Sequence, residues 1–296
     1  MANIVFGRYS PYNTITHRLD PRNKIFMAIL LMVMIFFRIG NWTTTLIFSG
    51  IYLVLLIILM IVSRISFLEL FKSLKSMWFL VLFIFAIYIF LPASAEIKET
   101  GHVAFNINTY PIYWESFLQA GYIILRLIMM IALMMLLTST TKPTDLTYAF
   151  EWYMLPLKVI HFPAHEIAMT LSIALRFIPT LLDESERITK AQASRGVDFN
   201  KGGLFKRFKA IISLIIPLFI SSIERSEQLA DAMEARGFDP KEKRTRYRIL
   251  RFHLRDFIAL FIVIALFAGV LTLFIFDKVG YPIDLLKFFF GIETMF

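Results

Sequence analysis

Long apolar runs separated by shorter charged ones set the character of the chain. Apolar stretches at 25–37, 43–62, 77–91, 117–137 and 257–276 predict five membrane-spanning helices. The first run is short, but Asp20-Pro21 reads as an N-cap followed by proline at the first helical position, which starts the helix earlier. At its other end Arg38 can snorkel to the interface. Gly40-Asn41 breaks this run, Trp42 opens the turn into the second span, and Pro92 stops the third. Residues 92–116 read as a loop with Glu96, Glu99 and Glu115, bordered by Tyr110, Tyr113 and Trp114 as interface residues. Two more apolar stretches, 167–182 and 210–223, lie inside a charged region. The first holds Arg176 and Pro179 and the second Pro217. Neither offers about 18 uncharged residues, so each is expected as a re-entrant, interfacial or protein-buried helix, not a span.

The expected organisation has three parts. Residues 1–137 form an N-terminal segment and four transmembrane helices, 138–256 a helical domain on one side of the membrane, and 257–296 a last span and an apolar tail. The fold class is an all-α polytopic membrane protein. Composition agrees: of 296 residues 58% are hydrophobic and only 18% charged, with a mean hydropathy of +0.68, too apolar for a soluble domain. Residues 1–24 lack a cleavable signal pattern, so the first apolar run is expected to direct insertion. The absence of cysteine excludes disulfides, thiol catalysis and thiolate metal sites.

A net charge of +9 raises the question of nucleic acid, but no nucleic-acid module is recognisable. The basic residues instead report topology. Residues 1–24 carry 4 Lys or Arg, 63–76 carry 3 and 138–256 carry 19, together 26 of 31. Four spans before residue 138 bring all three regions to one side, and the short loops assign that side to the cytoplasm. The N-terminus is expected inside and the C-terminus outside.

Within the charged region one phrase occurs twice. Ala191-Gln192-Ala193-Ser194-Arg195-Gly196-Val197-Asp198 returns 41 positions later as Ala232-Met233-Glu234-Ala235-Arg236-Gly237-Phe238-Asp239. Each phrase ends a helical run, with glycine suited to a left-handed position and Val197 or Phe238 as its apolar cover. Each arginine is expected at an exposed last turn beside the negative end of the helix dipole. Such a cation can simply cap its own helix; two identical tips point to docking in two equivalent sockets. Small residues (Ala191, Ala193, Ser194; Ala230, Ala232, Ala235) are expected to let the two helices approach closely.

Other chemistry is thin. There is no phosphate-binding Gly-x-x-x-x-Gly-Lys-Ser/Thr loop. His161 and His165 are four apart, but Pro163 intervenes and Glu166 is wrongly placed for a zinc site, so a loop is expected and no metal. No catalytic triad or carboxylate pair appears in the spans. Arg126, near the middle of the fourth span, is the one intramembrane charge; it either faces a partner or wet cavity, or bonds to helix carbonyls. Met129, Met130, Met134 and Met135 around it read as core or lipid filling, or as an adaptable partner surface.

Two features together resemble the transmembrane T component of energy-coupling factor (ECF) transporters, the EcfT family. One is Gly7-Arg8-Tyr9-Ser10-Pro11, continuing to His17-Arg18-Leu19-Asp20-Pro21-Arg22-Asn23-Lys24 before the first span. The other is the pair Ser194-Arg195-Gly196 and Ala235-Arg236-Gly237, similar to the family's two Arg-centred coupling motifs, with Arg176-Phe177-Ile178-Pro179 ahead of the first. Ser194 stands where many members have Ala. The resemblance implies a non-enzymatic subunit of an importer for vitamins or other micronutrients. It implies two long crossed helices whose Arg tips dock two ABC-type ATPase subunits, and a separate S component that binds substrate. ATP and Mg would then belong to the ATPases, with no cofactor on this chain, in a bacterial plasma membrane. Within the N-terminal phrase, His17, Leu19, Asp20, Pro21, Arg22 and Lys24 read as structural. The competing expectation is an autonomous secondary transporter, which calls for inverted repeats and polar sites inside the membrane; here the repeat lies in the polar region.

Overall fold

In the computed structural model the described residues are 12, 14–39, 42–90, 103–107, 110–160, 162–199, 203–239 and 252–279. Those from Gly7 to Pro11, His161 and the tail 281–296 lie outside them. Among the described residues the chain forms nine α-helices, with one small hairpin. It is an all-α polytopic membrane protein and divides into two compact units, Met1–Lys142 with Leu250–Phe296, and Pro143–Ile249.

The first unit contains α1 (Pro21–Phe36), α2 (Trp42–Val62), α3 (Phe67–Ser76), α4 (Trp78–Phe90), α5 (Trp114–Thr140) and α9 (Leu254–Lys278). Its core is built where α1, α2 and α5 converge: Leu31, Ile35, Leu56, Met60, Met129 and Leu133 are buried there, with Val263, Leu266 and Phe267 of α9 packed against them. Met129 and Met135 are therefore core, whereas Met134 faces outward. α3 and α4 bend by 64° at Met77, so the third span is preceded by an amphipathic helix carrying Lys72 and Lys75. The expected loop 92–116 contains a hairpin, β1 (Val103–Ile107) and β2 (Tyr110–Tyr113), antiparallel with Phe105 opposite Ile112 and Ile107 opposite Tyr110. Its run of β-branched and aromatic residues favours the pleated form.

The second unit contains α6 (Pro143–Met154), a 3-10 turn (Leu155–Ile160), α7 (Ala164–Ser194) and α8 (Leu204–Ala235). Here the structure alters the reading of 167–182 and 210–223. They are not separate short segments but parts of two continuous helices of 31 and 32 residues. At 1.5 Å per residue each is about 47 Å long. Pro179 and Pro217 sit inside without ending them.

By length and composition, α2, α5, α7 (from His165) and α9 can cross a membrane, and α3 with α4 adds a fifth if taken as one bent span. Residues 167–182 thus belong to a helix of spanning capacity by length and composition. α1, with 16 residues, is about 24 Å long, shorter than the usual hydrocarbon thickness.

Candidate functional site

Both long helices of the second unit end in the same geometry. α7 stops at Ser194; Arg195 caps it at φ −85° and Gly196 follows at φ +85°. The Gly196 N–H donates to the Ala193 carbonyl and the Val197 N–H to the Gln192 carbonyl, both at 3.0 Å. In α8 Arg236 caps at φ −91° and Gly237 follows at +66°. Gly237 N–H donates to Glu234 at 2.8 Å and Phe238 N–H to Met233 at 3.0 Å. These nested bonds define a Schellman end, which needs a left-handed residue after the cap. Glycine takes that conformation without the roughly 1–2 kcal/mol that a Cβ would cost.

Each helix therefore stops with an arginine at its outermost turn. Arg195 and Arg236 are exposed, and among the described residues neither guanidinium has a hydrogen bond or ion pair. Each presents five donors in a fixed fork beside the negative end of its helix.

Behind the tips the two helices are joined by charge. The Glu184 carboxylate of α7 accepts from Arg187 at 2.7 Å on its own helix and from Arg225 of α8 at 3.2 Å. Glu184 is only 12% exposed. From Glu184 to Arg195, and again from Arg225 to Arg236, is an arm of 11 residues, about 16 Å. From Leu204 to Arg225 is about 32 Å, while the link from Arg195 to Leu204 reaches at most about 32 Å. Parallel helices would separate the ends of that link by about 48 Å. A parallel pairing is excluded, and the exposed arms show that the helices do not lie side by side antiparallel either; they cross near Glu184 and Arg225, and the two C-terminal arms diverge at a wide angle. The small residues expected to line the contact lie instead on the arms: Ala191, Ala193, Ser194, Ala230, Ala232 and Ala235 are all exposed.

Residues 12–247 match the sequence model of the CbiQ family, described as a cobalt transport protein. The energy-coupling factor transporter transmembrane protein EcfT of Staphylococcus aureus (strain 04-02981) is 40% identical over 261 residues, 88% of this chain and 93% of the relative. EcfT of Bacillus subtilis (strain 168) is 38% identical over 256 residues, 86% and 92% of the two chains. EcfT of Lactococcus lactis subsp. cremoris (strain MG1363) is 37% identical over 282 residues, 95% of this chain and 100% of the relative. The chain belongs to the EcfT family. It is the transmembrane component of an ECF transporter and a multi-pass membrane protein.

In this EcfT chain the N-terminal phrase forms a buried polar knot. Asp20 caps α1, accepting from the Arg22 N–H at 2.9 Å with Pro21 at the first position. Lys24, 7% exposed, donates to the Thr140 carbonyl at the end of α5 (2.8 Å) and to the His17 carbonyl (3.3 Å). His17 bonds the Thr14 hydroxyl at 2.6 Å, and the Arg22 guanidinium stacks 5.3 Å from the Phe252 ring. Leu19 lies half-buried beside this knot. Its keystone escaped the sequence reading. Asp256, 1% exposed, accepts the Asp20 N–H at 2.8 Å through one oxygen and the His253 N–H at 2.7 Å through the other, closing the starts of α1 and α9 together. His253-x-x-Asp256 before an apolar run was the available signal.

Arg126 sits at the thirteenth residue of the 27-residue α5. Its guanidinium donates to the Tyr122 hydroxyl (2.9 Å) and to the Phe36 carbonyl in the last turn of α1 (3.4 Å), and lies over both rings. Bonding to a helix-end carbonyl is thus the arrangement observed. His165, expected in a loop, is on α7 and pairs with Glu151 of α6 at 3.1 Å. No cluster of metal-binding side chains occurs among the described residues.

Proposed function

We propose that this chain is the non-catalytic energy-coupling subunit of an importer for vitamins or other micronutrients. Its two Arg tips each dock one ABC-type ATPase subunit. Closure of the ATPase pair, which carries the ATP and Mg, drives the diverging arms, and their rotation reorients a separate substrate-binding S component. This chain itself uses no cofactor, metal or nucleic acid. Ser194, Arg195 and Gly196 form one coupling tip, and Ala235, Arg236 and Gly237 the other. The protein resides in a bacterial plasma membrane with its N-terminus inside and C-terminus outside.

The observation that supports this reading is the pair of identical, exposed Schellman ends, each aiming an arginine with no described partner at the end of an equal arm. A fork of five donors suits carboxylates or carbonyls lining a groove in a partner. The test is co-purification from gently solubilised host membranes, with wild type beside Arg195→Glu/Arg236→Glu. Wild type is expected to bring down two ATPases and at least one small membrane protein. The variant should lose the ATPases, since like charge replaces the donor fork at both tips. ATPases that stay bound to the variant remove the tips as anchors. Their absence from intact wild-type complexes removes the coupling reading.

A further inference from the structure

The two ion-paired residues behind the tips occupy the same place in the repeat. Glu184 and Arg225 are 41 positions apart, the spacing of Arg195 and Arg236. Most equivalent pairs along the repeat keep their chemistry: Asp183 with Glu224, Ser185 with Ser226, Glu186 with Glu227, Ala191 with Ala232. Two positions reverse their charge between the copies, 184/225 (acid, then base) and 190/231 (base, then acid), and it is the first whose members meet, Arg225 donating to Glu184 at 3.2 Å. Where two similar helices cross at corresponding points, that position meets its own counterpart. Identical charges there would repel, and identical apolar residues would let the rods slide by a turn. An opposite pair removes both problems, because only one register satisfies it.

We infer that Glu184–Arg225 is a register pin, which fixes the crossing at equivalent positions of the two helices and so keeps the two coupling arms equal in length. Arg187 holds one oxygen of Glu184 from its own helix at 2.7 Å, while Arg225 reaches the other from α8 at 3.2 Å. Equal arms on one pivot convert a symmetric closure of two sockets into equal rotation of both rods. A slipped crossing would give unequal arms and spread the tip positions. The pin rests on the coupling reading only for this last consequence; the fixed register stands on the geometry.

The chain has no cysteine, so spin labels can be placed at chosen sites alone. Lys190→Cys and Asp231→Cys put labels at equivalent, exposed positions, six residues beyond the pin on each arm and away from the tips. The labelled protein is co-expressed with its transporter subunits, reconstituted in vesicles of phosphatidylethanolamine and phosphatidylglycerol, and read by pulsed electron paramagnetic resonance. With the pin intact, one narrow label-to-label distance is expected. Glu184→Gln and Arg225→Met should each widen it about twofold as registers mix, and the two together no further than either alone. Glu184→Asp, which keeps the charge, should restore the narrow distance, a recovery that general loosening of the fold does not give. An unchanged width in Glu184→Gln, or additive widening in the double variant, overturns the pin. ADP with vanadate provides the separate arm. A pinned distance that does not move with nucleotide upholds the register and counts against the coupling reading.

Discussion

Asp256 is one side chain that holds two helix starts. Its two oxygens satisfy N–H groups of Asp20 and His253 that have no partner inside their helices. Asp256→Ala strands both donors in a buried setting, so a loss of about 2–4 kcal/mol is expected. Asp20→Ala removes a single cap bond and should cost about 1 kcal/mol. Thermal unfolding of the detergent-solubilised protein, compared across the two variants, checks the order. Comparable losses would mean that the bond between the helices adds nothing. Gly196→Ala and Gly237→Ala test the tips in the same spirit. Each forces a Cβ into the left-handed region at about 1 kcal/mol, with open space around it. Hydrogen exchange should therefore rise in the last turn of the affected helix only. Asp20-Pro21 and the two Arg-Gly ends were legible because a cap is a contract among neighbouring residues. Asp256 was not, because its partner lies 236 positions away.

At the scale of elements, the sequence pattern located most helices, and the two long helices that the family resemblance implied were not visible in the apolar runs alone. Proline and arginine inside 167–182 and 210–223 suggested short pieces, yet α7 and α8 pass through Pro179 and Pro217. A proline removes one backbone bond, and a long helix packed against a neighbour carries that cost. Arg126 teaches the converse. The sequence left it either facing a partner or bonding to helix carbonyls; α1 ends beside it and supplies a carbonyl, with Tyr122 one turn away on the same helix. Arg126→Met is therefore expected to be mild, about 1 kcal/mol in thermal stability, since apolar filling of similar length replaces a locally bonded cation. Arg126→Glu instead faces the carbonyl end of α1 with a negative charge and should reduce accumulation in the membrane. Levels in isolated membranes decide it; equal levels of Arg126→Glu and wild type would show that the helix end does not hold the charge.

The whole molecule poses a question of parity. If α1, α2, the α3–α4 pair, α5 and α9 each cross, the count is odd and the termini lie on opposite sides. α7 alone, if it crossed as its length and composition permit, would bring both ends to one side. Fusions at the C-terminus read this directly. An active periplasm-type alkaline phosphatase with a dark green fluorescent protein is expected there, and the opposite at the N-terminus. A bright C-terminal fusion would mean an even count.

Membrane class, the positions of most helices and the two Arg-Gly tips were determined by the sequence alone, because apolar length and capping act over a few residues. Only the tertiary structure decided that Lys24 closes on Thr140, that Asp256 ties two helix starts, and that the long helices meet at Glu184 and Arg225. Those contacts join residues from 41 to 236 positions apart. A local pattern shows which groups need partners. Packing alone selects which partners they find.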